Sequence, residues 1–280
     1  MADDRRALVL GGGGITGIAW ELGLLAGLAA EGVDLADADL IVGTSAGSVV
    51  GAQLACGADV EKRYAAQLAP TAGEAAAALG PRTLLRLGLA MVGARDPQQA
   101  RARIGRLALA TPTVPEEDRL AVIGRRLVSH VWPERDLLIT AVDAGTGEFR
   151  AFGRDAGIPL VAAVAASCAV PGIWPPVTAA GRRWIDGGIR SAANADLAAG
   201  YERVVVLAPL TRGIGPLTPV GTQVEALRTQ SRVALVSPDA AARHAIGRNV
   251  LDPAHRAFSA RAGRAQAKAA AAAVREVWTG

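Results

Sequence analysis

The apolar positions of the chain fall into short runs that alternate with helical patterns. The first run, Ala7 to Leu10, passes through four glycines into a helical pattern at residues 18–30. The second run, Leu40 to Val42, passes through a glycine-containing turn into a helical pattern at residues 48–55. Short buried strands followed by longer helices produce such patterns. The amino-terminal part of the chain is therefore predicted to contain two successive units of strand, turn and helix.

The remaining sequence predicts more helices, two hairpins and further strands. Residues 59–128 are rich in Ala, Leu and Arg and are broken by prolines, which is typical of several short helices. Apolar runs joined by short glycine-containing turns predict β-hairpins. The elements expected after residue 128 are a hairpin over 137–152, a helix over 160–167, a hairpin over 177–185, a helix capped by Asn194 that ends at Gly200, strands over 204–208 and 234–236, and a helix over 253–278.

No repeat or low-complexity linker divides the sequence. With 280 residues and 51% hydrophobic content, the chain is long and apolar enough for one large core. We expect a single domain over residues 1–280. Within it, a region of about 7–208 carries the motifs described below, and a helical extension follows at about 209–280.

Charge and cysteine content narrow the function classes. The net charge of +4 comes from arginine, since Lys62 and Lys268 are the only lysines, and the lack of a dense basic run argues against nucleic-acid binding. Cys56 and Cys168 give no disulfide framework, which favours a reducing compartment. The sequence has no secretory signal pattern and no long uncharged apolar segment. We therefore expect a cytoplasmic protein that contacts membranes transiently and peripherally, if at all.

The candidate chemistry begins with the Gly-x-Ser-x-Gly pattern of Gly43, Ser45 and Gly47. In a nucleophile elbow, the serine lies on a tight turn between a strand and a helix, and the two glycines leave room for strained backbone. The dipole of the following helix would favour negative charge that develops near Ser45. Because so short a pattern also arises by chance in a chain with 33 glycines, it predicts a nucleophile only together with other motifs.

A glycine-rich loop follows the first predicted strand and contains Gly12, Gly13, Gly14 and Gly17. Successive glycines can present backbone N–H groups at a helix N-terminus, where a phosphate or an oxyanion binds. The spacing also fits the dinucleotide-binding pattern Gly-x-Gly-x-x-Gly. That pattern needs an acidic residue at the end of the second strand, where this chain has the serine motif, so an oxyanion site is favoured.

A third motif follows the second predicted hairpin, where Asp186 precedes Gly187 and Gly188. The glycines would let the carboxylate turn toward a neighbouring loop, although Asp-Gly is also an ordinary turn sequence. Two apolar segments are candidate walls of the same site. One is the rigid proline-rich segment at 171–177, and the other is a leucine-rich stripe at 84–91 that either packs on the core or covers a lipid-binding cleft.

Together, the glycine loop, the serine motif, the proline-rich segment and the Asp-Gly-Gly motif resemble the patatin-like phospholipase family of the bacterial type. The resemblance implies an α/β fold, a three-layer α/β/α sandwich with a mainly parallel central sheet. It also implies hydrolysis of carboxylic esters of lipids by a Ser/Asp dyad, without metal or cofactor. Carried over to this chain, the nucleophile is Ser45, the base is Asp186, the oxyanion-hole donors are Gly12, Gly13 and Gly14, and the supporting residues are Gly17, Gly43, Gly47, Gly187 and Gly188.

One residue departs from the family pattern, because the glycine loop usually has Arg or Lys before its last glycine and this chain has Thr16. The departure predicts a change in oxyanion stabilisation or in the head group that is bound. Two alternatives to a lipid acyl hydrolase remain. An α/β-hydrolase would pair the same serine with a histidine base, His244 or His255. A non-catalytic lipid-binding or regulatory protein would keep the fold without turnover.

Overall fold

A computed structural model of the chain describes residues 5–70, 77–78, 80–211 and 218–280. The helices in these parts are α1 (Gly14–Ala30), α2 (Ala46–Ala55), α3 (Val60–Leu68), α4 (Pro81–Met91), α5 (Pro97–Leu109), α6 (Glu116–Arg126), α7 (Leu160–Ser167), α8 (Val220–Leu227), α9 (Ala240–Ile246) and α10 (Arg256–Trp278). The strands are β1 (Arg6–Leu10), β2 (Leu40–Gly43), β3 (Asp136–Asp143), β4 (Phe149–Phe152), β5 (Val177–Ala179), β6 (Arg182–Asp186), β7 (Arg203–Leu207) and β8 (Arg232–Val236). Helices α3 to α6 are the short helices predicted between residues 59 and 128.

The described strands form one sheet in the order β5, β6, β3, β2, β1, β7, β8, and β4 pairs with β3 outside this order. The adjacent strands β3, β2, β1, β7 and β8 are parallel to one another. The pairs β3–β4, β3–β6 and β5–β6 are antiparallel. Both predicted hairpins, β3 with β4 and β5 with β6, are confirmed. Because β1 and β2 are adjacent and parallel, the glycine loop and the serine motif meet at the carboxyl edge of the sheet.

Alternate side chains of the central strands enter two different cores. On one face, Leu8 and Leu10 of β1 belong to a cluster with residues of α1, α2, α7 and α10. On the other face, Ala7 and Val9 belong to a cluster with Val224 of α8. Successive residues of a strand point to opposite faces of a sheet, so helices cover this sheet on both sides. The predicted three-layer α/β/α sandwich with a mainly parallel central sheet is therefore confirmed.

Helix α10 packs against α1 so closely that a side chain between them would clash. A Cβ atom on Gly23 would lie 2.0 Å from the carbonyl oxygen of Ala260. The predicted long carboxy-terminal helix is confirmed as α10, Arg256–Trp278. The segment before it contains β8, which pairs with β7 in the sheet. Residues after 208 therefore complete the sheet and add helices to both of its faces, α8 on one and α10 on the other. That residues 1–280 form one domain stays a prediction.

Candidate active site

Ser45 lies on the turn between β2 and α2, with φ 52° and ψ −112°. Non-glycine residues rarely adopt such a conformation, which costs on the order of 1–3 kcal/mol and is common at functional sites. A Cβ atom on Gly47 would lie 2.1 Å from the carbonyl oxygen of Leu10, so the start of α2 can cross β1 only without a side chain at that position. The Gly-x-Ser-x-Gly pattern therefore forms a tight strand-to-helix turn.

Neighbouring side chains hold the backbone of this turn. The N–H of Ser45 donates a 2.9 Å hydrogen bond to Oγ of Ser167 at the end of α7. The carbonyl oxygen of Ser45 accepts a 2.6 Å hydrogen bond from Ser48 Oγ and a 3.3 Å hydrogen bond from Cys168 Sγ. These contacts offset part of the cost of the strained turn and tie it to α7.

Asp186 ends β6 and meets Ser45, although the two residues are distant in sequence. Its carboxylate lies beside the Ser45 side chain at the same cavity, and Oδ1 accepts a 2.7 Å hydrogen bond from the N–H of Gly188. Burial raises the pKa of Asp186 to about 6, while the Ser45 side chain, the N–H of Gly188 and the charge of Arg119 oppose the rise. A carboxylate that is ionised at neutral pH, yet binds protons more strongly than in water, is suited to accept a hydroxyl proton.

Asn194 joins the serine and aspartate motifs, a role that the sequence did not indicate. The expected helix up to Gly200 is only a 3₁₀ turn, Ala195–Ala198, which the Asn194 side chain does not cap. Instead, Nδ2 of Asn194 donates to Thr44 Oγ1 at 3.1 Å and to the carbonyl oxygen of Gly187 at 3.3 Å. The prediction of a helix cap was wrong because this fully buried amide finds its acceptors in the two motif loops.

The glycine loop brings candidate oxyanion donors to Ser45, but one of the three predicted donors is already used. The N–H of Gly12 donates a 2.7 Å hydrogen bond to the carbonyl oxygen of Ala192. Within the described residues, no backbone carbonyl accepts a hydrogen bond from the N–H of Gly13 or Gly14. Both residues line a cavity with Ser45. The candidate donors are therefore Gly13 and Gly14, and Gly12 has a structural role.

The cavity at Ser45 and Asp186 has a volume of about 180 Å³ and a mainly apolar wall. Pro171 comes from the proline-rich segment at 171–177 that the sequence singled out as a wall of the site, and Val170 directly precedes that segment. The apolar lining residues are Leu87, Met91, Ile104, Val170, Pro171, Ile189, Ala192, Leu210, Val250 and Leu251. Such a wall suits an acyl chain better than a polar group.

Helix α4 carries the leucine-rich stripe and divides it between two environments. Leu87 and Met91 line the cavity, whereas Leu85 and Leu89 are 63% and 61% exposed. The side chain of Leu84 lies outside the described residues. The stripe is therefore both a wall of the cavity and an exposed apolar surface beside it.

A family model described as patatin-like phospholipase matches residues 8–199 of the chain. The chain belongs to the patatin-like phospholipase family. No curated protein matches the chain.

Two solved structures are similar to this patatin-like chain. One is VipD from Legionella pneumophila, with 14% identity, a TM-score of 0.48, and coverage of 98% of this chain and 67% of VipD. The other is the type III effector protein ExoU, with 17% identity, a TM-score of 0.47, and coverage of 99% of this chain and 54% of ExoU. The chain thus spans about two thirds of the first protein and about half of the second.

The patatin-like loop of this chain has a buried threonine at position 16, where the family usually carries a cation. Thr16 is fully buried, and its hydroxyl donates a 3.2 Å hydrogen bond to the carbonyl oxygen of Val250. The backbone N–H of Thr16 donates to the same oxygen at 3.1 Å. Position 16 therefore anchors the glycine loop to the segment before α10.

A cation reaches the site from α6 instead. Arg119 is only 6% exposed, and its guanidinium lies over the ring of Trp174, 4.0 Å from the ring centre. It lines a small pocket together with Ser45 and Gly14, and its charge acts on Asp186. Nothing in the sequence pointed to Arg119, because only the packing of α6 brings it to the motif loops.

The histidines give no support to an α/β-hydrolase triad. Nitrogens of His130 and His255 lie within hydrogen-bond distance of backbone carbonyls, at 3.0 and 2.8 Å. The described residues that line the cavities at Ser45 include no histidine, so neither His255 nor His244 is placed there as a base.

The described parts of the chain contain no helix with the length and apolar character needed to cross a membrane. They also contain no group of three or more His, Cys, Asp or Glu side chains placed to hold a metal ion.

Proposed function

We propose that this patatin-like protein is a serine acyl hydrolase that cleaves carboxylic esters of lipids through a dyad of Ser45 and Asp186. The observation that carries the proposal is the placement of the Ser45 side chain beside the buried carboxylate of Asp186, in the lining of one apolar cavity. A serine hydroxyl is a poor nucleophile until a base takes its proton. A desolvated carboxylate in direct contact can do this without an intervening histidine.

In the proposed reaction, Oγ of Ser45 attacks the ester carbonyl carbon while Asp186 accepts the hydroxyl proton. The resulting oxyanion receives hydrogen bonds from the N–H groups of Gly13 and Gly14, at the N-terminal end of α1. Collapse of the tetrahedral intermediate breaks the ester bond, and the proton on Asp186 passes to the leaving alcohol. Water then attacks the acyl-enzyme with the same base, which releases the fatty acid and restores Ser45.

The nearby charge of Arg119 supports the same chemistry. A buried guanidinium favours the ionised form of Asp186, and it would also favour negative charge on the reacting carbonyl oxygen. We therefore propose that α6 supplies the positive charge that other family members have in the glycine loop.

We further propose that α4 contacts the lipid surface transiently during substrate uptake. Its exposed residues Leu85 and Leu89 are flanked by exposed Arg82 and Arg86, a combination suited to an anionic membrane interface. Replacing both leucines by serine should lower the fraction of the protein that sediments with anionic vesicles. Hydrolysis of a dissolved short-chain ester should change much less.

Labelling by a fluorophosphonate probe tests the proposed nucleophile. The intact protein should be labelled, and Ser45→Ala should lose both the label and at least about a thousandfold in ester turnover. Ser129→Ala, which changes a serine outside the lining of the cavity, is the matched control and should keep both. A folded wild-type protein that binds lipid but is neither labelled nor active would instead support the non-catalytic alternative.

A further inference from the structure

A second cavity, of about 210 Å³, lies among α1, α2, α3, α6 and the start of α10. Arginines from three of these helices line it, and none of its described lining residues is acidic. The arginines are Arg63, Arg125, Arg126 and Arg256. We call this space the arginine cavity. Guanidinium groups present planar sets of N–H donors that match phosphate oxygens, so the wall is suited to a phosphate ester.

Polar atoms of Gln53 and Arg63 in this wall have no hydrogen-bond partner among the described residues. Gln53 is only 4% exposed; its Nε2 donates a 2.7 Å hydrogen bond to the carbonyl oxygen of Arg126, which fixes the amide orientation. Its Oε1 is buried and has no hydrogen-bond partner among the described residues, and the same holds for Nε of Arg63. Buried polar groups are nearly always satisfied, so a ligand that accepts from arginine and donates to an amide oxygen would complete this wall.

The arginine cavity and Ser45 both border one small pocket. The small pocket that contains Ser45 and Arg119 shares Ile15, Ile18 and Arg126 with the arginine cavity. It also shares Ser45 with the apolar cavity. Ser45 therefore borders the apolar cavity directly and adjoins the arginine cavity through the small pocket. This is the order of acyl chain, ester and head group in a phospholipid.

We propose that the arginine cavity binds the head group of an anionic phospholipid, a phosphate ester that also carries a hydroxyl group, as in phosphatidylglycerol. The proposal rests on the proposed ester hydrolysis for its acyl-chain end. The phosphate oxygens accept from Arg63, Arg125 and their neighbours, and the head-group hydroxyl donates to Oε1 of Gln53. A choline head group places a permanent cation and no hydroxyl donor against the same wall, so phosphatidylcholine is disfavoured.

Short-chain lipids dissolved as monomers test the head-group site without a membrane surface. The wild type should hydrolyse dihexanoyl phosphatidylglycerol with a kcat/KM at least about tenfold above that for dihexanoyl phosphatidylcholine, as one or two charge-assisted hydrogen bonds would provide. Arg63→Gln and Arg125→Gln should each reduce this ratio, mainly through a higher KM for phosphatidylglycerol. Arg125 is exposed, so its replacement should preserve the fold. The matched control, Arg106→Gln, removes an exposed arginine outside the cavity and should keep the wild-type ratio.

The failure of this proposal is distinguishable from failure of ester hydrolysis. Turnover of p-nitrophenyl octanoate by the wild type reports ester hydrolysis alone. Calorimetric binding of dihexanoyl phosphatidylglycerol to Ser45→Ala reports the head-group site without turnover, and Arg63→Gln in that background should weaken it about tenfold. Equal kcat/KM for the two lipids, or a ratio that Arg63→Gln and Arg125→Gln leave intact, would overturn the proposal. Binding of glycerol 1-phosphate with the same affinity as the lipid would also overturn the proposal, because it would indicate a site for free phosphate esters.

Discussion

Replacing Asp186 by asparagine should abolish turnover and stabilise the fold. Folding transfers the carboxyl group from water to a buried site and raises its pKa from 3.8 to about 6. At about 1.4 kcal/mol for each pH unit, the ionised carboxylate costs the folded state about 3 kcal/mol at neutral pH. Asparagine keeps the shape and has no charge. Asp186→Asn should therefore raise the free energy of unfolding by up to about 3 kcal/mol.

The pH dependence of this difference has a definite sign. As pH rises from 3.8 toward 6, the unfolded state releases the Asp186 proton before the folded state does. The contribution of Asp186 to stability therefore falls across this window and is constant above it. The difference in unfolding free energy between Asp186→Asn and the wild type should grow from low pH to about pH 6 and then level off.

Asp143 provides a matched control because it is also buried but has the opposite shift. Burial opposes ionisation of Asp143, but hydrogen bonds from Thr146 and Gly145, together with the charge of Arg182, lower its pKa overall. Asp143→Asn should therefore lower stability at neutral pH. That loss should disappear as pH falls through the folded-state pKa of the carboxyl group.

Urea denaturation from below pH 3.8 up to pH 7 measures the stability changes of both variants, and hydrolysis of p-nitrophenyl octanoate measures turnover. For the wild type, kcat/KM should fall about tenfold for each pH unit below about 6, because the protonated carboxyl group cannot accept the serine proton. A folded Asp186→Asn variant that retains more than about one hundredth of the activity would refute the assignment of the base. A stability difference that does not change with pH would refute the desolvation argument.

Three further outcomes are expected. Arg119→Gln should lower kcat/KM and move its acidic limb to higher pH, because the arginine favours the ionised base; an unmoved pH profile would contradict this. Gly23→Ala should lower the free energy of unfolding by about 1–3 kcal/mol, because the added methyl group overpacks α1 against α10. Gly221→Ala, in open space on α8, should raise it by about 0.5–1 kcal/mol, because alanine favours the helix more than glycine does. Urea denaturation measures both changes. Burial raises the pKa of Glu21 well above its usual range, despite the nearby N–H of Gly11. Glu21→Gln should therefore stabilise the protein at pH 8 but not below pH 4.5, where the unfolded state is also protonated.

The features that the sequence alone determined are those with local causes. A strained turn at a serine needs small residues two positions before and two positions after it. Gly43 and Gly47 occupy these positions around Ser45, so the sequence predicts the turn directly. Alternating apolar runs with short turns likewise identify the hairpins and the strand and helix units, because neighbouring residues decide them. The prediction that Ser45 pairs with Asp186 did not follow from local sequence patterns. It came from the resemblance to a known family.

Only the tertiary structure decided which polar groups are satisfied and which remain available. The N–H of Gly12 already donates a hydrogen bond to the carbonyl oxygen of Ala192, which comes from a remote part of the chain. Asn194 does not cap a helix, because its side-chain amide donates to acceptors in the serine and aspartate loops. Arg119 and the arginine cavity arise where helices that are separate in sequence pack around the sheet. Hydrogen bonding and desolvation depend on atoms within a few ångströms, and in a sheet with crossover connections those atoms come from remote parts of the chain.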